Sequence, residues 1–219
     1  MNFLDNPRQI IITGTGRCGT GFVAQVLSQL DIGCSHESIF QWPAPSLAFA
    51  LGQYELRENN PAWGWWGESS WLAAPFLEDD DIRQGKIIVH LVRDPARVIQ
   101  SHLAIQNWTE NNGNWQTGIA FMHEQMPELH AYDDPAHKSG LWYLEWNRRI
   151  EPYRDILHRV EDDVTLLLDQ LGIDYAGREI FDDAQYNHFQ RQAPVPFHLS
   201  SLLEPLRVPL LEMAGQYGY

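Results

Sequence analysis

The chain has 219 residues, of which 44% are hydrophobic and 20% charged, and its formal net charge is −14. This length and composition predict one globular domain over residues 1–219, large enough to bury a core without disulfides or metals. The acidic charge argues against nucleic-acid binding, which needs a basic surface, and against docking on an anionic membrane. Neither partner is predicted, and the oligomeric state is left open.

Two cysteines, Cys18 and Cys34, are too few for a disulfide framework and favour a reducing compartment. The first eight residues have no signal-peptide pattern. No apolar run approaches the roughly 18 residues that a membrane span requires. The sequence therefore predicts a soluble, cytoplasmic protein.

The first predicted unit is a strand, a glycine loop and a helix. Gln9–Thr13 is a short β-branched run closed by glycine, which is typical of a buried strand. The loop occupies residues 14–19. From Thr20 to Leu30, apolar residues recur at helical spacing.

A second unit of the same kind follows later in the chain. Lys86–Val92 is an apolar run typical of a buried strand, and Asp94 with Pro95 predicts the start of a helix that continues to about Ile105. Three more helices are predicted, at Trp142–His158 with an interruption at Pro152, at Asp163–Leu171, and at Leu202–Tyr217. Strands that alternate with helices predict an α/β fold with a parallel sheet and helices on both faces.

Residues 106–138 are polar and rich in Asn, with little periodicity. A segment of this length inside a compact domain is often a lid or a binding segment, here for the acceptor. A short helix near Trp115–Gln125 is the alternative.

The glycine loop has several interpretations. Residues 14–21 read GTGRCGTG, and amide N–H groups in such a loop at a helix start bind anions. Residues 14–19 match the dinucleotide fingerprint G-x-G-x-x-G, with Glu37 available as the acid about 20 residues further on. The triphosphatase loop requires a lysine, but here Gly19 is followed directly by Thr20.

A third interpretation rests on residues 17–21, which read RCGTG. This run resembles the 5′-phosphosulfate loop of sulfotransferases, in which Arg or Lys and a small residue precede Gly-Thr-Thr or Gly-Thr-Gly after a strand. Cys18 stands where that family usually has Ser.

Residues 90–102, HLVRDPARVIQSH, resemble the 3′-phosphate motif of the same family. Arg93 leaves the carboxyl end of a predicted strand, where open α/β sheets bind ligands. Ser101 lies two turns into the next helix, so that a guanidinium and a hydroxyl can grip one phosphate from two directions. Glu68–Pro75, which looks like a helix that lines the family's cleft, and Tyr143–Ile150 resemble the family more loosely.

The resemblance implies a single-domain fold like that of P-loop nucleotide triphosphatases and the donor 3′-phosphoadenosine 5′-phosphosulfate. It assigns Arg93 and Ser101 to the 3′-phosphate. It assigns the 5′ end to the loop residues Gly16, Arg17, Cys18, Gly19, Thr20 and Gly21.

For catalysis, the resemblance implies Glu37 as the general base and Arg17 as a group that stabilises the leaving oxygen. His36 is the competing base, because its ordinary pKa is nearer neutrality. No metal site is predicted. The alternatives are a P-loop kinase of a small metabolite and a nucleotide-binding protein that has lost catalysis.

The acceptor is expected to be a small molecule or a carbohydrate with a hydroxyl or an amine. The chain has nine tryptophans, among them Trp63, Trp65, Trp66, Trp108 and Trp115. Exposed aromatic rings could stack on such an acceptor, and packing within the protein is the alternative.

Overall fold

The computed structural model describes residues 9–38, 40, 65–109, 116–180 and 196–219. The chain divides into two compact units, each built from two segments. The first unit comprises Met1–Val92 and Arg149–Asn187, and the second comprises Arg93–Arg148 and His188–Tyr219. The five strands of the described residues all belong to the first unit. The prediction of one domain stays a prediction.

The first unit contains a parallel sheet. Its strands are β1 (Gln9–Thr13), β2 (Gly33–His36), β3 (Trp65–Ser69), β4 (Lys86–Val92) and β5 (Ile156–Arg159). The strand order is β2-β3-β1-β4-β5, and every pairing is parallel. In the central strand β1, Ile10, Ile11 and Ile12 are fully buried, as expected for a parallel sheet that is covered by helices. The predicted α/β fold class is confirmed.

Helices occupy much of the remaining described chain. The α-helices are α1 (Thr20–Gln29), α2 (Asp80–Arg83), α3 (Pro95–Ala104), α4 (Gln116–Gln125), α5 (Pro135–Ile150), α6 (Val164–Leu171) and α7 (Glu204–Gln216). Short 3₁₀ helices cover Trp71–Glu78, Pro127–Ala131, Glu151–Tyr153 and Leu199–Ser201. No helix of the described residues is long and apolar enough to cross a membrane.

Several helix ends follow local chemistry. The Asp94 side chain accepts a hydrogen bond from the Ala96 amide at 2.8 Å and caps α3, whose first residue is Pro95. The left-handed Gly172, with φ of 70°, ends α6. Helix α4 confirms the short helix expected near residues 115–125. The role of residues 106–138 as a lid stays a prediction.

The predicted helix at Trp142–His158 is wrong in both bounds. Helix α5 begins earlier, at Pro135, and ends at Ile150, while residues 156–159 form β5. This segment pairs with β4 instead. Just before it, Ile88 accepts a hydrogen bond from the Asp155 amide at 2.9 Å and donates one to the Asp155 carboxylate at 2.8 Å. Pro152 has no backbone N–H to donate in a helix, so helix α5 does not continue through it.

Glu68–Pro75 is also not a single helix. Glu68 and Ser69 end β3, where Glu68 pairs with Ile11 of β1, and the 3₁₀ helix begins only at Trp71. Strand pairing with β1 therefore places the first two residues in the sheet.

Trp108 is a packing residue within the second unit. Its ring lies edge-on to Trp142 at 6.0 Å, and its Nε1–H donates to Ser139 Oγ at 2.7 Å. Trp142 in turn stacks on His102. Trp63 and Trp115 lie outside the described residues.

Gly14 begins the glycine loop next to β4. A Cβ atom at this position would lie 2.3 Å from the carbonyl oxygen of Leu91. A Cβ at Gly215, near the end of α7, would meet nothing within 4 Å.

We expect Gly14→Ala to lower the free energy of unfolding by about 1–3 kcal/mol, because a methyl group would have to displace the β4 backbone. Gly215→Ala, the matched control, should be neutral or up to about 1 kcal/mol more stable, since Ala favours helix over Gly. Urea unfolding measures both. Equal stability of Gly14→Ala and the natural protein would contradict the close approach.

Candidate functional site

The glycine loop joins β1 to α1 in a tight turn. Arg17 and Gly19 both have left-handed backbones, with φ of 77° and 82°. The Cys18 amide donates to the Thr15 carbonyl at 3.1 Å within the loop. A Cβ at Gly19 would lie 2.4 Å from Cγ2 of Val160, which follows β5. Glycine is therefore required at this position by both conformation and space.

The loop ends at the N-terminus of α1, where Gly19 is the capping residue and no side chain caps the helix. The first amide N–H groups of a helix and its macrodipole favour an anion at this end. The half-buried Arg17 in the loop adds a positive charge. This set of donors fits an anion such as phosphate.

The end of β2 supplies two titratable side chains beside this loop. His36 is the last residue of β2, and Glu37 follows it. The Nε2 atom of His36 lies 3.2 Å from Thr20 Oγ1 and 3.4 Å from Glu37 Oε1. The structure thus brings together the predicted loop residue Thr20 and both predicted bases.

Partial burial shifts the pKa values of these two groups, although the His36 and Glu37 side chains are still 40% and 37% exposed. It raises the pKa of Glu37, while the nearby Arg17 guanidinium and the Trp71 indole partly offset that rise. Burial also lowers the pKa of His36, so the ring is neutral at neutral pH. Both groups can accept a proton.

The polar end of β3 links the loop to this pair. Glu68, Ser69 and Ser70 are fully buried. Ser69 Oγ donates to the Thr20 carbonyl at 2.8 Å, and the Ser69 carbonyl accepts from the Glu37 amide at 3.2 Å. Sequence reasoning missed these contacts, and the signal was a run of polar residues at the carboxyl end of a strand.

The same carboxylate affects one of the two cysteines. Cys34 lies in β2, and burial together with the Glu68 charge raises the pKa of its thiol. The thiol therefore stays protonated at neutral pH and is a poor nucleophile.

The predicted 3′-phosphate pair belongs to the second unit. Arg93 precedes the cap of α3, and its carbonyl accepts a hydrogen bond from the Tyr143 hydroxyl at 2.7 Å. Ser101 lies on α3 and is half-buried. The local arrangement of an arginine, a capped helix start and a serine two turns later is as the sequence predicts. Sequence reasoning did not identify Tyr143 as the residue that anchors Arg93.

The fold resembles a solved structure, the sulfotransferase domain from the Synechococcus PCC 7002 olefin synthase. The TM-score is 0.51 and the sequence identity 14%, over 98% of this chain and 95% of that chain. At this identity, the likeness establishes a shared α/β fold. No protein-family model matches the chain, and the comparison with curated proteins found no match.

We expect Glu37→Gln to raise the free energy of unfolding at neutral pH. Because the pKa of Glu37 is raised in the folded protein, its contribution to stability is full below the ordinary glutamate pKa and is lost as the pH rises through the folded value. The gain from the variant should therefore disappear near about pH 4. Urea unfolding at a series of pH values measures this. A less stable variant at neutral pH would mean that the attraction to Arg17 outweighs burial.

Proposed function

We propose that this protein is a sulfotransferase that transfers a sulfuryl group from 3′-phosphoadenosine 5′-phosphosulfate to a hydroxyl or amine of a small-molecule or carbohydrate acceptor. The observation that carries the proposal is the lysine-free glycine loop with its left-handed Arg17, next to the carboxylate of Glu37 with its raised pKa. The shared fold with a sulfotransferase domain supports it.

Each end of the donor has its own group of residues in this proposal. The backbone N–H groups of residues 16–21, with Arg17 and the hydroxyl of Thr20, would hold the 5′-phosphate and the sulfuryl oxygens. Arg93 and Ser101 would hold the 3′-phosphate, which distinguishes this donor from ordinary adenine nucleotides. The loop follows β1 and α3 follows β4, each after the carboxyl end of a strand, and this supports the assignments.

The transfer is a single in-line displacement. The acceptor oxygen or nitrogen forms a bond to sulfur, the bond between sulfur and the 5′-phosphate oxygen breaks, and the acceptor proton passes to the Glu37 carboxylate. The product nucleotide is 3′,5′-diphosphoadenosine. Arg17 stabilises the negative charge that develops on the leaving oxygen, and such a contact lowers the barrier because it strengthens in the transition state.

We expect 3′,5′-diphosphoadenosine to bind without metal, as measured by calorimetry. Arg93→Ala should weaken its affinity by about 10- to 150-fold, since a charge-assisted contact contributes roughly 1.5–3 kcal/mol. Ser101→Ala should weaken it less, by about 2- to 12-fold, because a neutral contact contributes about 0.5–1.5 kcal/mol.

Adenosine 5′-phosphate, which lacks the 3′-phosphate, is the control ligand, and its affinity should not change in either variant. Equal losses for both nucleotides would overturn the 3′-phosphate assignment. A preference for ATP with Mg²⁺ would instead indicate a kinase. Binding of the nucleotide without turnover of the donor would indicate a binding protein that has lost catalysis.

We expect Glu37→Gln to reduce the transfer rate by about 10²–10⁴-fold, because the amide cannot accept the acceptor proton. Its affinity for 3′,5′-diphosphoadenosine should remain that of the natural protein. Release of the diphosphate from the donor, in the presence of a panel of hydroxyl and amine acceptors, measures the rate. If His36→Ala abolishes transfer and Glu37→Gln does not, His36 is the base.

A further inference from the structure

Glu68 is a buried carboxylate with no place in the proposed chemistry. It lies near the carboxyl end of β3, between β2 and β1, and is fully inaccessible to solvent. Its Oε1 accepts a hydrogen bond from the Ser38 amide at 2.8 Å, and its Oε2 accepts one from the Ser35 hydroxyl. A carboxylate is costly to bury, so its hydrogen bonds must offset a substantial loss of hydration.

Ser35 and Ser38, which both donate to Glu68, lie on either side of the proposed base. Ser35 precedes and Ser38 follows the pair His36 and Glu37, so one carboxylate holds both ends of this turn. The backbone of Glu37 is left-handed, with φ of 52°. A residue other than glycine keeps this conformation only when its surroundings impose it.

We propose that Glu68 is a positioning residue that holds the turn of residues 35–38, so that the carboxylate of Glu37 stays beside Arg17 and the ring of His36 stays beside Thr20. The proposal rests on the proposed function, since it concerns the same site. Glu68 itself touches neither donor nor acceptor, because its carboxylate is enclosed by protein.

Two variants remove different parts of this arrangement. Ser35→Ala removes one hydrogen bond to Glu68 and leaves its charge and its bond to Ser38. Glu68→Gln keeps the size of the side chain and one oxygen, but loses the charge and one acceptor. Ser139→Ala is the matched control, because Ser139 is a fully buried serine of the second unit that accepts the Trp108 indole N–H.

We expect Glu68→Gln to lower kcat by about 10²-fold, a loss that a displacement of about 1 Å at a reacting group can cause. Ser35→Ala should lower kcat by a smaller factor. Affinity for 3′,5′-diphosphoadenosine should persist in both. The pKa of the base in the kcat profile should fall in both, because a released Glu37 is better hydrated. A shift in Ser35→Ala reports on the turn itself, because that variant keeps the Glu68 side chain.

A second readout does not depend on transfer. The carboxyl ¹³C signal of Glu37, assigned with Glu37→Gln, is titrated without donor in each variant. If the natural protein neither binds the nucleotide nor transfers, the proposed function fails, and this titration still tests Glu68. Unchanged Glu37 titration in Ser35→Ala and Glu68→Gln overturns the positioning role, as does an equal shift in Ser139→Ala. If Glu68→Gln does not fold, the result for Ser35→Ala decides.

Discussion

The backbone of the glycine loop passes so close to the neighbouring strands that neither Gly14 nor Gly19 has room for a side chain. Leu91 of β4 blocks the first position, and Val160, just after β5, blocks the second. This close approach holds the loop against the carboxyl ends of the strands and sets where α1 begins. An anion site made from backbone amides depends on such rigidity, because its donors must be oriented before the ligand arrives.

Buried polar groups extend this rigidity from the loop to the proposed base. Glu68 and Ser69 hold the turn of Glu37 through side-chain and backbone bonds, and Ser69 also binds the carbonyl of Thr20. Such a network is stable only when its members are satisfied together. The net charge of the chain is −14, but the positive charge of Arg17 lies near the Glu37 carboxylate that this network holds. The local electrostatic field therefore matters more at this site than the net charge of the whole chain.

Much of the fold could be predicted because its signals are local. The apolar runs of β1 and β4, the glycines after β1 and the Asp-Pro start of α3 each specify their element within a few residues, and the structure has them at the predicted positions. Alternation of strands and helices was enough to predict the parallel α/β class. The chemical character of the loop follows from the same strand–loop–helix pattern.

Only the tertiary structure decided where non-local pairing overrides local preference. The chain after Ile150 forms β5 because Asp155 bonds Ile88 across 67 positions, a contact that no window of sequence contains. The link from Glu68 to Ser38 spans 30 positions. Sequence by itself determined which residue types are available at the edge of the sheet. Folding decided which of them meet, because strand order and burial place distant residues in contact and so set their hydrogen bonds and the direction of their pKa shifts.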